Sequence, residues 1–259
     1  MRAILFATGK GDAMEKQEKG AGRWRGLRQV LRHNLWAVIL AIATPIFLWC
    51  LEEVAEGELT RLDGMAYRLV VEGMRSNQLT PVMQSFSELG QLVVLFVLVL
   101  AIAVFAPGKH PARMATLNLV CVFVLNQALK FIVQRPRPEG FRLAEASGYS
   151  FPSGHSMVAM GFYGLLVWMA WHYYGRHNAK RWIAAVGFSI IIVGVGLSRV
   201  YLGVHYASDV VAGFCVSLIW LVFFTRVVVP VLFPDGKGEE PAPPGSAGPA
   251  AARHMKTGA

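Results

Sequence analysis

Six long apolar runs, at 35–51, 91–106, 115–133, 157–174, 182–197 and 210–229, constrain this 259-residue chain more than anything else in it. Each approaches the roughly 20 residues that a helix needs to cross a bilayer. Within hydrocarbon only helices and closed barrels satisfy their own backbone groups, and runs this continuous suit helices. Composition points the same way. Charged residues make up 16% of the chain, against about 25% in an average soluble domain, and mean hydropathy is +0.44. So few charges cannot cover the surface of a soluble domain this long. A soluble dinucleotide-binding enzyme, a secreted disulfide scaffold and a disordered chain are thereby excluded. The expected fold is all-α: a polytopic membrane protein of six transmembrane helices.

Sidedness follows from the basic residues. If the six runs cross in turn, seventeen Lys and Arg fall on the side of the two termini and eight on the other. The positive-inside rule then puts both termini in the cytoplasm, and the first, third and fifth loops outside a plasma (inner) membrane. This distribution accounts for the net charge of +9 without a nucleic-acid partner. Residues 1–34 read as a basic cytoplasmic tail, in which Arg23, Trp24, Arg25, Arg28 and Arg32 suit an interfacial helix on anionic headgroups or serve only to orient the chain. Residues 35–233 form the membrane domain. Residues 234–259, rich in Pro, Gly and Ala, are expected to be disordered. The apolar start of the chain is too short for a secretory signal. Between the first two runs, Leu59, Leu62, Ala66, Leu69, Val70 and Gly73 recur at helical spacing. They predict an amphipathic helix, lying either on the outer leaflet or against the bundle. Cys50, Cys121 and Cys215 all lie within apolar runs and read as free thiols.

Chemistry-bearing residues gather at a few run ends. Lys130 closes the third run and Arg137-Pro138 follows it; Pro152-Ser153-Gly154-His155 opens the fourth; Ser198-Arg199 closes the fifth; His205 and Asp209 open the sixth. Six crossings bring these four ends into one plane. Ionisable groups at a membrane are expensive and mark function. Lys130, Arg137 and Arg199 can hold a phosphoryl dianion and neutralise charge that develops during transfer. Ser153 and Gly154 sit where a helix start presents unpaired amides to an anion. His205 and Asp209, four residues apart, share a helix face, so the carboxylate can hold one ring nitrogen while the other attacks phosphorus. His155 is then placed to protonate the departing oxygen. Singly, these residues have ordinary explanations: a snorkelling lysine, a helix start, a structural His–Asp pair. Arg135 and Arg142 read as plain loop charges, and Asn126 as a polar helix–helix contact. No Cys, Glu or second Asp joins the histidines at metal-ligand spacing, so no metal and no cofactor is expected.

Together, Lys130-x6-Arg137-Pro138, Pro152-Ser153-Gly154-His155 and Ser198-Arg199-x5-His205-x3-Asp209 resemble the three-part signature of the type 2 phosphatidic acid phosphatase superfamily. The resemblance covers roughly residues 59–229 and leaves both tails outside. It implies a metal-independent phosphatase working through a phosphohistidine. His205 would be the nucleophile, Asp209 its partner and His155 the acid, with Lys130, Arg137, Ser153, Gly154 and Arg199 around the phosphate. The substrates it implies are lipid phosphates in the bilayer: undecaprenyl diphosphate, phosphatidylglycerophosphate or phosphatidic acid. Two alternatives stay open, a lipid phosphotransferase with the same motifs and an anion transporter. Against the transporter, no charge lies near the middle of a run. Oligomeric state has no signature in the sequence.

Overall fold

A computed structural model describes residues 34–57, 61–106, 110–140, 142–173 and 178–234. The basic N-terminal segment and the Pro/Gly/Ala-rich tail lie outside these residues. The described residues form helices and no strands. In chain order these are α1 (Leu35–Ala55), α2 (Arg61–Ala66) with a π-helical continuation (Tyr67–Glu72), α3 (Leu79–Glu88), α4 (Leu92–Phe105), α5 (His110–Val133), α6 (Gly154–Tyr173), α7 (Ala179–Tyr201) and α8 (Ala207–Phe223). A second π-helical stretch, Phe224–Val228, joins α8 to the short α9 (Val229–Leu232).

Over the described residues the body of each of the six apolar runs is helical. Four helices are long and apolar enough to cross a membrane: α1, α5, α7 and the continuous α8–α9. The pair α3 and α4, bent by 57° at their junction, makes a fifth if counted as one span. Helix α6 has 20 residues but is less apolar, because His155, Ser156, Tyr163 and His172 interrupt it. It is also well enclosed, packed against α5, α7 and α8, with half of its residues buried. Enclosure by protein relaxes the demand for apolar side chains that lipid contact imposes.

The core gathers around α6. Met157, Phe162 and Leu165 meet Val122 of α5, Val195 of α7 and Val216 of α8, all buried. The periphery is apolar too: Phe105 is 85% exposed, Val93 72% and Ile183 70%. In water such a coat would drive association; in a bilayer it is the natural outer surface. Buried polar side chains tie the helices together, as expected where no hydrophobic effect separates helix from lipid. Asn118 donates from Nδ2 to the Gly161 carbonyl at 2.9 Å and accepts at Oδ1 from the Trp220 indole at 2.9 Å. Ser217 donates to the Met157 carbonyl at 2.9 Å.

The connection from α7 to α8 positions the nucleophile candidate. Gly203 has φ +75°, a left-handed conformation that costs side-chain-bearing residues roughly 1–2 kcal/mol. The turn folds the chain back so that the amides of Val204 and His205 both reach the Arg199 carbonyl, at 3.2 and 3.3 Å. His205 is thereby held under the last turn of α7.

Candidate active site

The end of α5, the start of α6, the end of α7 and the start of α8 converge at one end of the bundle. Between them lies a cavity of about 1270 Å³, walled by Lys130, Arg137, Gly154, His155, Arg199 and His205 together with the loop residues 142–149. The two imidazoles, 50 residues apart in sequence, line the same cavity.

His205 is buried at 4% exposure and held at both ring nitrogens. Arg137 Nη1 lies 3.1 Å from Nε2. A guanidinium only donates, so Nε2 carries the lone pair and the ring proton sits on Nδ1. Nδ1 faces the Ser150 hydroxyl at 3.2 Å and Asp209 Oδ2 at 3.4 Å. Ser150 in turn donates its hydroxyl proton to Asp209 Oδ2. The imidazole is thus oriented by a serine–carboxylate pair, with its basic nitrogen on the cationic side. Burial pushes the His205 pKa down to about 4; Asp209 pulls against this, and Arg137 and Arg199 reinforce it. The ring is therefore neutral at physiological pH, the form a nitrogen nucleophile requires.

Asp209 is fully buried and saturated with donors. Oδ2 accepts the Tyr206 amide at 2.9 Å, closing the first turn of α8. Oδ1 accepts Arg135 Nη1 at 2.7 Å. The loop-charge reading of Arg135 is thus corrected. Its side chain is buried between two carboxylates, Asp209 and Asp63, the latter at 3.0 Å from Nη2. It also donates to Ser208 at 2.8 Å and stacks over the Tyr206 ring at 4.0 Å. Burial works against its charge, but the two carboxylates outweigh that and hold its pKa above the ordinary value. Asp63 comes from the predicted amphipathic segment, and through Arg135 and Ser208 it fastens α2 to the bundle.

The other cations are held differently. Arg137 spends its guanidinium on the carbonyls of Gly148, Val204 and Ser147, at 3.0, 2.8 and 2.9 Å. Those contacts fix the loop around the cavity, and burial lowers the arginine's pKa. Lys130 reaches the Tyr149 carbonyl. Arg199 donates to Ser87 from Nη1, while its buried Nε has no hydrogen-bond partner among the described residues. Gly154 and His155 are the first residues of α6, where amides lack carbonyls one turn back. Gly154 is also required by space, since a Cβ there would lie 2.9 Å from Asn126 Oδ1. Asn126 itself donates to the Pro152 carbonyl at 3.2 Å, so it serves as a helix–helix contact. At the α3–α4 bend a Cβ on Gly90 would meet the His155 ring at 3.1 Å, so this glycine lets α6 bring the imidazole in close.

Of the residues singled out from sequence, Lys130, Arg137, Gly154, His155, Arg199 and His205 share the cavity wall. Asp209 lies behind His205. Ser153 also lies behind the wall: it is fully buried, its amide bonds the Asp209 carbonyl at 3.0 Å, and its oxygen accepts the Ser156 hydroxyl at 2.9 Å. Arg135, Asp63 and Ser150 were missed. One signal was present for Asp63, which stands four residues after Leu59 and three before Ala66, on the apolar stripe itself. Among the described residues no three His, Cys, Asp or Glu side chains gather as a metal-binding group, and the three cysteines are free.

An all-helical bundle with apolar helices long enough to cross a membrane, and with a cationic cradle and two histidines at one end, is an arrangement suited to holding an anion such as phosphate. The PAP2 superfamily profile matches residues 92–231, more than half of the chain, and this protein belongs to that superfamily. It is 41% identical over 104 residues to phosphatidylglycerophosphatase B of Bacillus subtilis, covering 39% of this chain and 49% of the relative. It is 28% identical over 154 residues to an undecaprenyl-diphosphatase of Sulfolobus acidocaldarius, covering 57% of this chain and 69% of that protein. The chain thus spans about half the length of the first of these curated relatives. Among solved structures, a transmembrane PAP2-type phosphatidylglycerolphosphate phosphatase from Bacillus subtilis superposes with TM-score 0.61 at 28% identity, over 71% of this chain and 96% of that one.

Proposed function

We propose that this protein is an integral-membrane phosphatase that removes the phosphate or diphosphate headgroup of a lipid at the extracytoplasmic face, through a phosphohistidine on His205. The observation that carries the reading is the shared cavity: a nucleophile-competent His205 Nε2 and the His155 ring face one space rimmed by Lys130, Arg137 and Arg199. The phosphate displaces the Arg137 hydrogen bond from Nε2, the freed lone pair attacks phosphorus, and the bond from phosphorus to the lipid-side oxygen breaks. His155 gives that oxygen a proton. Nδ1–H stays on the imidazolium, steadied by Ser150 and Asp209. Water then attacks the phosphohistidine in line, its proton passes to His155, and the P–N bond breaks to release inorganic phosphate. The cations neutralise the equatorial oxygens in both steps, so the mechanism calls for no metal and predicts full activity in EDTA.

Lipid substrate is supported by the relatives' names and by the cavity wall itself, where Phe131, 74% exposed on the bundle surface, stands beside Lys130. Candidate headgroups are those of phosphatidylglycerophosphate, undecaprenyl diphosphate and phosphatidic acid. Six crossings, with α3–α4 as one bent span and α6 as another, put both termini in the cytoplasm by the charge bias of the loops. The test is His205→Ala in purified protein with a panel of lipid phosphates. Wild type should release inorganic phosphate without an added acceptor, which separates hydrolysis from phosphotransfer. The variant should fold and lose at least about 10³-fold in turnover. A folded variant retaining more than that overturns covalent catalysis by His205.

A further inference from the structure

We infer that Arg135 and Asp63 are positioning residues for catalysis: Arg135 fixes the Asp209 carboxylate that orients His205, and Asp63 fixes Arg135. The inference rests on the reading of His205 as nucleophile and adds two residues that the three-part signature does not specify, Arg135 at one of its variable positions and Asp63 well before it. Three separate segments build the arrangement, α2, the loop after α5 and the first turn of α8, and all three charged groups are buried, at 4%, 8% and 0% exposure.

Arg135 Nη1 occupies Asp209 Oδ1 at 2.7 Å, so only Oδ2 is left to face Ser150 and the His205 ring. A carboxylate free to rotate about its χ2 would present either oxygen; this one is pinned by its far atom. Nη2 is turned away toward Asp63 Oδ2 at 3.0 Å. Asp63 also accepts the Ser208 amide and hydroxyl, both at 2.8 Å, which ties it to the residue just before Asp209. One guanidinium thus bridges two buried carboxylates, and removing it would take a buried cation from both. Well-packed apolar residues often serve stability as well as a buried ion pair or better, so the tie between α2 and α8 does not by itself account for these charges. Their placement against the orienting carboxylate supplies the functional reason.

The charges also set the protonation of His205. The groups facing its ring are Asp209 and Ser150 on the Nδ1 side, Arg137 on the Nε2 side, and Lys130, His155 and Arg199 around the cavity; Arg135 and Asp63 act from behind Asp209. Loss of the Arg135 cation leaves the Asp209 charge uncompensated, which favours the imidazolium. The nucleophile would then be lost at a higher pH.

The experiment uses the full-length protein in detergent, with Arg135→Gln, Arg135→Lys and Asp63→Asn compared by thermal unfolding, kcat, KM and the pH profile of kcat/KM. Arg135→Gln should lower kcat about 10–100-fold with KM within about threefold, and move the acid limb upward by roughly one unit. Arg135→Lys should recover about tenfold over the Gln variant. Asp63→Asn, which keeps an acceptor for Ser208 but breaks the ion pair, should lower kcat by about 3–10-fold with the same direction of shift. A folded Arg135→Gln with unchanged kcat overturns the inference. So does a kcat loss with an unmoved acid limb and no recovery by Lys, the pattern of a merely structural residue. Should Arg135→Gln not fold, Asp63→Asn decides by the same readouts. Retained turnover in His205→Ala would instead strike the underlying catalytic reading, whatever the Arg135 variants do.

Discussion

A histidine held at both nitrogens has its chemistry decided before substrate arrives. In His205 the guanidinium at Nε2 and the serine and carboxylate at Nδ1 leave one tautomer, with the lone pair on Nε2. With its pKa near 4, the free protein should show the acid limb of kcat/KM close to pH 4 instead of near 6.5; a limb at 6 or above in wild type would contradict this environment. The same depression has a stability consequence. Between about pH 6.5 and 4 the unfolded imidazole binds a proton that the folded one refuses, so unfolding gains ground as pH falls through that window and is unaffected by this group above it. Denaturation in detergent at stepped pH would show it. Ser150→Ala removes the hydroxyl between ring and carboxylate and should cost about 10–100-fold in kcat with little change in KM. Sequence spacing disclosed His205 and Asp209, because one turn of helix joins them. It hid Ser150 and Arg135, whose partners lie 55–74 residues away and whose positions look like any polar loop, while Asp63, 145 residues from Ser208, showed only its place on the apolar stripe. A charge in a loop carries no local sign of whether it is solvated or clasped.

At the scale of elements, the apolar runs located the helices well because lipid leaves a spanning segment few alternatives. Helix α3 escaped that reading: Gln84, Ser85, Ser87 and Glu88 break its apolar run, and its role is to lean on α7 at an angle to α4. Residues 61–72, within the segment expected to be amphipathic, are helical, and Asp63 fastens them to the bundle. Two substitutions probe how the elements are set. Gly203→Ala forces a side chain into a left-handed turn and should lower stability by about 1–2 kcal/mol, with activity falling further than that because His205 hangs from the turn. Asn118→Leu strands the Trp220 indole and the Gly161 carbonyl and should cost about 1 kcal/mol with kcat unaltered, since the contact lies away from the cavity. Thermal unfolding paired with phosphate release separates the two cases.

Across the whole molecule, sidedness is the largest expectation that depends on charge bias alone. Ser147 lies on the cavity wall, and a cysteine placed there, with Cys50, Cys121 and Cys215 replaced, should react with a membrane-impermeant thiol reagent in intact cells; reaction only after permeabilisation would reverse the topology. Phe131 and Lys130, neighbours on the same helix end, join the greasy exterior of the bundle to the charged chamber within one residue. If the protein acts on lipid phosphates as proposed, a headgroup can slide in from the side while its tails stay dissolved among their neighbours. Encounter becomes a two-dimensional search, and the concentration that matters is the mole fraction of substrate in the surface. Diluting the lipid with inert detergent at constant bulk concentration should slow the reaction, as it would not for a catalyst that lifts its substrate into water.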